Sequence, residues 1–253
     1  MIAQGSVFAV FGTDLANPGL AQVSAFPLPL SLGGTSAQVA VGGTILDCYM
    51  IFTTPGQLAV LLPSATPVGS GTLTLTVNGQ QMSEPIDVVA NSPGIFSQNS
   101  QGSGPASFQN FISQTDTPLN QVDQAINNGD VGILWLTGVG PASGDEAAGP
   151  LPGNMSGLDV QVYVGGVLVT DILYIGRSGC CSGIDQIVFR IPPGVEGCWS
   201  PVVVVINGVP SNATSISVAP SGTVCSQPGT FSSTQLSSLL NWRRDFAGGA
   251  AAS

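Results

Sequence analysis

Acidic side chains, cysteines and a few tryptophans carry the chemistry open to this 253-residue sequence, which contains no histidine and no lysine. Without histidine, Ser-His-Asp and Cys-His catalysis and most zinc sites are excluded. The densest acidic pair is Asp145-Glu146, and paired carboxylates are the groups that hydrolyse glycosides. Because this pair lies in a Gly- and Pro-rich stretch, we interpret both carboxylates as solvated charges. We therefore expect no enzymatic activity and no cofactor.

Two stretches could in principle hold a metal ion. Asn127-Asn128-Gly129-Asp130 offers oxygen ligands for calcium, but it lacks the spaced carboxylates of a calcium loop. A turn with an aspartate cap is the favoured interpretation. The four cysteines of the second half could bind zinc, yet they contain no CxxC pair. We therefore expect no metal site.

The same four cysteines, Cys180, Cys181, Cys198 and Cys225, predict two disulfides and an extracellular compartment. Three pairings are open, and a bond between the adjacent Cys180 and Cys181 is strained. That strain favours a bond from each of them to one of the other two. The fifth cysteine, Cys48, lies in an apolar run and is interpreted as a buried free thiol.

Charge and hydropathy exclude two classes of partner. Four arginines stand against 14 carboxylates, a net charge of −10, so there is no basic patch for nucleic acid. The longest aliphatic run, Val202 to Ile206, is too short to insert in a membrane. Met1 to Gly5 show no signal peptide within this chain. Because acid only removes carboxylate charge, we expect the fold to persist to about pH 3.

The sequence also contains an internal repeat, in which landmarks recur in order. The offset is 123 from Val41 to Val164 and 129 from Asn78 to Asn207. The paired landmarks are Gly5-Ser6 with Gly129-Asp130, Val41-Gly42-Gly43 with Val164-Gly165-Gly166, Gln57 to Pro63 with Gln186 to Pro192, and Asn78-Gly79 with Asn207-Gly208. The offset grows between Gly166 and Gln186, which predicts a disulfide-tied loop in the second copy only.

Each copy has the pattern of short β-strands. Thr72 to Val77 alternates polar and apolar residues and runs into Asn-Gly, a strong hairpin signal, whereas Val202 to Ile206 is apolar on both faces. Strands of this length, bounded by Gly, Pro and Asn, indicate β-sandwiches. We predict an all-β chain with two tandem immunoglobulin-like sandwiches, at residues 1–97 and 129–220.

Two segments lie outside these sandwiches. Residues 98–128 are polar and irregular, and their five large apolar residues predict packing on the second domain; a ligand-binding loop is the alternative. Those residues are Phe108, Phe111, Ile112, Leu119 and Val122. The tail, 221–253, is predicted to carry a short helix over 232–246. Its candidate interface residues are Leu236, Leu239, Leu240, Trp242 and Phe246.

Trp199 is the aromatic residue with two plausible roles. It lies beside Cys198 and Pro201, so it can pack on a disulfide, which we favour, or offer a flat face on which a sugar ring stacks. Trp199 is therefore the candidate glycan contact.

Several motifs carry a resemblance to a known family. They include Gly-Ser-x4-Phe-Gly-Thr-Asp-Leu at 5–15, Leu-Gly-Gly at 32–34, Gln-x5-Pro at 57–63, Ser-Pro-Gly-Ile-Phe at 92–96, Gly-Asp-Val at 129–131, Thr-Gly-Val-Gly-Pro at 137–141, and the Cys-Cys segment at 176–186 followed by Gly-Cys at 197–198. Residues 1–220 resemble uncharacterised secreted acidobacterial proteins with tandem IPT/TIG-like C-terminal modules. The resemblance implies an immunoglobulin-like fold at the bacterial cell surface, and it implies no catalytic or ligand residues.

These observations favour a non-catalytic extracellular module with a structural or adhesive role. We expect it to act through protein contacts or through self-assembly into surface fibres or arrays, since exposed strand edges can pair between molecules. The alternative is an accessory module that binds polysaccharide through loops at one end of a sandwich.

Overall fold

The computed structural model describes residues 1–226, and this range contains 22 β-strands in four sheets and no helix. The all-β prediction is confirmed over this range. None of these residues forms an apolar helix of membrane-spanning length. The predicted helix at 232–246, with its candidate interface residues, lies outside the described residues.

The first sandwich is built from ten strands in two sheets. They are β1 (Ile2–Ala3), β2 (Val7–Phe11), β3 (Ala21–Gln22), β4 (Ser31–Leu32), β5 (Thr35–Val41), β6 (Thr44–Asp47), β7 (Tyr49–Thr53), β8 (Gln57–Leu61), β9 (Gly69–Val77) and β10 (Gln80–Val89). One sheet has the order β1-β10-β9-β5-β4, with β6 also paired to β5, and the other has the order β2-β8-β7-β3. Their facing side chains enclose one apolar core.

The second sandwich is built from the remaining twelve strands. They are β11 (Gly94–Ile95), β12 (Phe108–Asn110), β13 (Ile126–Asn127), β14 (Val131–Thr137), β15 (Gly153–Asn154), β16 (Val160–Val164), β17 (Val167–Leu168), β18 (Ile172–Arg177), β19 (Asp185–Arg190), β20 (Gly197–Ile206), β21 (Val209–Pro210) and β22 (Thr214–Ala219). One sheet has the order β11-β14-β19-β18-β15, with β12 also paired to β14. The other has the order β13-β22-β20-β16-β17, with β21 also paired to β20. The domain boundaries given above stay a prediction.

Alternation in the sequence decides which face of each strand is buried. On β9, Leu73, Leu75 and Val77 enter the core while the intervening threonines face outward. This burial pattern has the two-residue period of a sheet with one wet face. The apolar β20 is more covered, with Val202, Val204 and Ile206 fully buried.

The predicted repeat is confirmed by the sheet order and by the turns. In each copy a first short strand pairs in parallel with a late strand, β1 with β10 and β13 with β22. The turn Gly42-Gly43 has φ of 58° and 83°, and Gly165-Gly166 has 59° and 82°. Asn78 and Asn207 both have φ of 49°. These left-handed angles explain why Gly and Asn recur at these turns.

The connecting segment 98–128 attaches to the second sandwich differently from what its apolar residues predict. Phe108 is fully buried, but the other four predicted anchors are at least 40% exposed, so that part of the prediction was wrong. The buried Asn120 instead donates from Nδ2 to Ser217 O at 2.9 Å and accepts from Ser217 N at 2.7 Å. The segment is thus fixed largely by amide hydrogen bonds, which apolar patterning does not reveal.

The cysteine pairing also corrects the sequence prediction. Cys198 bonds to Cys225, whereas the adjacent Cys180 and Cys181 are exposed free thiols. The physical reason is distance. Cys225 packs beside Ala125 and Ala219 at one end of the second sandwich, and the Cys180–Cys181 loop lies at the other end, where this sandwich meets the first. The interpretation of Cys48 as a buried free thiol is confirmed.

Candidate functional site

The two sandwiches meet at a polar junction built by an insertion. The loop 178–184, between β18 and β19, is longer than its counterpart in the first copy, the turn 54–56 between β7 and β8. The Thr137 hydroxyl donates to Gly183 O at 2.7 Å and accepts from Val7 N at 3.0 Å. A Cβ on Gly183 would lie 2.8 Å from Val7 Cγ2, so only glycine allows this approach. The inserted loop thus forms a wedge between the sandwiches.

A buried ion pair lies at the centre of the junction. Arg177 and Asp185 are 3% and 0% exposed and are directly hydrogen-bonded. Arg177 Nη2 also donates to Gly5 O in the first sandwich and to Gly140 O in the second, each at 2.7 Å. Any side chain on Gly5 would overlap Arg177. One guanidinium therefore bonds to both sandwiches.

Burial dominates the electrostatics of this pair. It raises the pKa of Asp185 from its ordinary 3.8 to about 6, although Arg177 and the N–H groups of Val139 and Gly138 act in the opposite direction. Val139 N donates to Asp185 Oδ2 at 3.1 Å. Among the described residues, Arg177 Nε has no hydrogen-bond partner. The pair is thus fixed in position at a high desolvation cost.

The two acidic residues singled out from the sequence have different environments. Asp145 is exposed, as predicted, and accepts hydrogen bonds from Ala147 N and Ala148 N. Glu146 is only 7% exposed and accepts from Ser64 N and Ser64 Oγ, both at 2.8 Å. The interpretation of Glu146 as a solvated charge was therefore wrong. Its carboxylate connects the long loop after β14 to the first sandwich.

An apolar groove runs beside the junction and has a volume of about 450 Å³. Phe26, Phe52 and Ala59 line it from the first sandwich, and Phe96 and the two free cysteines line it from the second. Partial burial and a hydrogen bond that the Cys181 thiol donates to Cys180 raise the pKa of Cys181 to about 12. Cys181 is therefore a neutral thiol at physiological pH and a poor nucleophile. Sequence reasoning missed this groove because its two walls are far apart in the chain.

Trp199 lies at the opposite end of the second sandwich from the junction. Its side chain is 56% exposed and lines a cavity of about 200 Å³ with Gln98, Asn120 and Gln121. Gln98 Nε2 already donates to Ala106 O at 2.9 Å and to Asn120 O at 3.1 Å. The ring surface is thus accessible for stacking, while part of the surrounding amide capacity is used inside the protein.

The stretch considered for calcium forms a turn instead. Asn127 Nδ2 donates to Gly222 O at 2.7 Å, and Asn128 Nδ2 donates to Val195 O at 3.0 Å. Asp130 N closes the turn on Asn127 O at 3.2 Å, with Gly129 at φ of 87°. The predicted turn is confirmed, and its aspartate cap stays a prediction.

Comparison with family models and with curated proteins finds no match. Among solved structures, the chain is similar to SGBP-B of the mixed-linkage glucan utilization locus of Bacteroides ovatus, solved with a heptasaccharide. The identity is 11%, the TM-score is 0.34, and the match covers 87% of this chain and 42% of that one. The chain therefore spans less than half of that protein.

Two further similar structures are tandem domains. One is an immunoglobulin pair from titin, with 10% identity, a TM-score of 0.25, and coverage of 86% of this chain and 91% of that one. The other is domains 5–6 of the S-layer protein SbsC, with 14% identity and a TM-score of 0.27. That match covers 87% of this chain and 93% of that one. All three TM-scores are below 0.5. The assignment of two sandwiches therefore rests on the sheet order and the two cores of this chain.

Proposed function

We propose that this chain is a rigid, non-catalytic extracellular module that acts through contacts with other proteins, as a structural or adhesive unit. The observation that carries the proposal is the buried Arg177–Asp185 pair, because Arg177 also bonds to Gly5 of the first sandwich. Opening the junction would break the hydrogen bond from the charged Arg177 to Gly5 O, and a hydrogen bond to a charged group contributes about 1.5–3 kcal/mol. The two sandwiches therefore move as one body, as a spacer or an assembly unit must.

The compartment is part of the same proposal. The Cys198–Cys225 disulfide is stable in an oxidising compartment, so we place the module outside the cell or on its surface. Secretion, and membership among IPT/TIG-like modules of acidobacterial proteins, belong to the proposal as well. The low charge content, 7% of residues, suits a module that packs closely against similar surfaces.

Small-angle X-ray scattering tests the rigidity directly. We expect one orientation of the sandwiches to fit the wild-type curve at pH 7, and Ser64→Ala to broaden the distribution, because Glu146 then loses a donor across the junction. Arg190→Ala is the matched control, since its ion pair with Asp171 is about half exposed. A wild-type curve that requires many orientations would defeat the proposal.

Light scattering after size exclusion, at pH 4 and pH 7, tests the contact role. We expect concentration-dependent association, with electron microscopy showing regular polymers in the early fractions. A monomer of 25.5 kDa under every condition would contradict self-assembly and would favour contacts with other proteins.

A second candidate, polysaccharide binding, is favoured by the 56% exposure of Trp199 beside its cavity. Intrinsic fluorescence titrated with a broad polysaccharide panel tests it. We expect a response that Trp199→Ala abolishes and that Trp135→Phe leaves in place. Silence across the panel would remove this candidate.

A further inference from the structure

The strand β14 of the second sandwich, which the repeat matches with β2 of the first, has a covered edge. Gly94 and Ile95 of β11 pair with Thr137 and Leu136 of β14. Phe96 N donates to Trp135 O at 3.1 Å, and Trp135 N donates to Ser107 O at 3.1 Å. The strand β12 continues this cover along the rest of β14. The chain that leaves the first sandwich therefore supplies the strands that close the second.

The equivalent edge in the first sandwich is open. Leu62 N donates to Ser6 O and Gly12 N to Gly56 O, so alternate residues of β2 bond to β8 and the others face away. Among residues 1–226, β2 pairs with β8 alone. Ala9 and Phe11 thus direct backbone N–H and C=O groups outward.

This open edge has the composition that recruits another strand. β2 reads Val-Phe-Ala-Val-Phe, with no charge and no proline. Phe11 is 73% exposed, whereas its repeat equivalent, Trp135, is half-buried under the connecting segment and donates from Nε1 to Gln109 Oε1 at 2.8 Å. The same strand is therefore covered in one copy and bare in the other.

The sequence shows what would cover it. Pro93-Gly-Ile-Phe-Ser97 carries the residues of β11, and Pro228-Gly-Thr-Phe-Ser232 repeats that pattern after the second sandwich. Gly94 comes five positions after β10 ends at Val89, and Gly229 comes ten positions after β22 ends at Ala219. Each sandwich is thus followed by the sequence of an edge-covering strand.

We propose that Pro228–Ser232 of one copy adds as a strand to the open β2 edge of a second copy, forming head-to-tail chains. This inference rests on the proposed function and names its partner. In β11, Phe96 N donates to Trp135 O, and the same register would pair Phe231 N with Phe11 O of the second copy. The direction of the added strand also fits. The Val7 end of β2 adjoins the second sandwich of its own copy through Thr137, so the Phe11 end is the one that a preceding copy can approach.

The segment cannot reach β2 of its own copy. Cys225 is fixed to Cys198, and β22 ends beside Ile126, at the end of the second sandwich opposite the junction. Five to six residues separate Cys225 from Phe231 and span roughly 20 Å when fully extended. The seven residues of β14 alone extend roughly 23 Å, and β2 begins only beyond them. Pairing of this segment with a β2 edge therefore needs the β2 of a second copy.

One difference between the copies sets the strength of the contact. The second sandwich has Gly132 where the repeat places Phe8, and a Cβ there would overlap the Phe108 ring. Phe8 packs against the first core itself, so the incoming strand adds backbone hydrogen bonds without filling a hole. The first sandwich also contains no arginine to repeat the buried ion pair. We therefore expect weak, concentration-dependent association.

Complementation between two full-length variants tests the proposal. Ala9→Pro removes an outward N–H from the β2 edge, where proline is tolerated, and Phe231→Asp disables the added segment. Each variant should self-associate at least about tenfold more weakly than the wild type. An equimolar mixture should form a 1:1 dimer by light scattering, because each variant retains the half that the other lacks. Alkylated thiols exclude disulfide links through Cys180 and Cys181.

The controls separate this inference from the proposed function. Ala250→Asp alters the tail outside both the repeated motif and the predicted helix, and should associate like the wild type. Circular dichroism should show that Ala9→Pro is folded, and an unfolded variant is replaced by Ala9→Asp. Wild-type assembly that ignores both edge and tail substitutions would overturn strand addition and leave the proposed function standing. A mixture that stays monomeric while the wild type associates would overturn it as well.

Discussion

The two sandwiches share one strand order and differ in how each is completed. The first has a core of 13 buried residues, fills the space beneath its first strand with its own Phe8, and leaves the β2 edge open. The second has 20, places Gly132 at the equivalent position, and takes Phe108 from the connecting segment. The core of the first sandwich is therefore filled by its own side chains, whereas the core of the second depends on a residue outside its repeat.

The two copies also differ in their loops. The repeat conserves turns and sheet order, which the backbone requires, whereas the loops 138–152 and 178–184 differ between copies and carry the junction contacts. The loops that make the polar contacts at the junction are therefore a feature of one copy. The other copy retains the plain sandwich and a free edge for a partner.

The largest effect expected is from removing the buried charge at the junction. Arg177→Ala leaves Asp185 buried without its partner and removes the donor to Gly5 O, so we expect a loss of about 3–5 kcal/mol in unfolding free energy. Arg190→Ala breaks the exposed pair with Asp171, the residue before β18, and should cost less than about 1 kcal/mol. Urea denaturation of both variants measures the difference, and equal losses would contradict the assigned role of Arg177.

The second-largest effect is expected from Phe108, which the connecting segment contributes to the second core. Phe108→Ala should cost about 3–4 kcal/mol, because it empties a fully buried site that contacts Phe189 in the second core. Phe8→Ala, at a half-buried position, should cost less and should affect the first sandwich. Hydrogen exchange resolves which sandwich loosens. Loss of protection in both sandwiches from Phe108→Ala would show that their cores are not independent.

Much of the fold could be predicted from local pattern. Two turns could be predicted from Asn78-Gly79 and Asn207-Gly208, because few other residues adopt those φ angles. The alternating threonines of β9 predict which face of that strand is buried. The repeat follows from the same landmarks. The Pro-Gly-x-Phe-Ser recurrence at 93 and 228 was also readable, but its meaning required seeing β11 on the edge of β14.

The junction could not be predicted in this way. Glu146 looks like loop charge until Ser64, 82 residues earlier, is placed beside it. Arg177 and Gly5 are 172 residues apart, and no local pattern links a cation to a glycine carbonyl. The prediction of the cysteine pairing was wrong for a related reason. The spacing of cysteines in the sequence does not show at which end of a sandwich each of them lies. Contacts between distant loops depend on domain arrangement, which periodicity does not encode.

A smaller effect is expected at the Glu146 contact. Glu146→Gln directs an amide N–H₂ at one of the two Ser64 donors, so one buried group loses its partner and the cost should be about 1–3 kcal/mol. Asp145→Asn retains an acceptor oxygen at an exposed position and should be neutral within about 0.5 kcal/mol. Thermal unfolding of the pair provides the test. Equal midpoints for the two variants would show that Glu146 is not a junction contact.

The smallest expected effect is the pH dependence of the ion pair. Burial raises the folded-state pKa of Asp185 to about 6, so the folded protein binds a proton near pH 6 and the unfolded chain only near 3.8. More protons bound in the folded state mean that stability rises as the pH falls through this window. From pH 7 to pH 5 the gain from Asp185 should be about 1 kcal/mol.

Asp185→Asn isolates this contribution, because it removes the titrating proton from the buried pair. Unfolding free energies of the wild type and the variant at pH 7 and pH 5 give the difference in slope, whatever the variant costs in absolute stability. Cys48 and Cys181, whose pKa values are raised to about 12, do not titrate in this range. An identical slope in both proteins would mean that Asp185 keeps its charge down to pH 5, and that Arg177 outweighs burial at the junction.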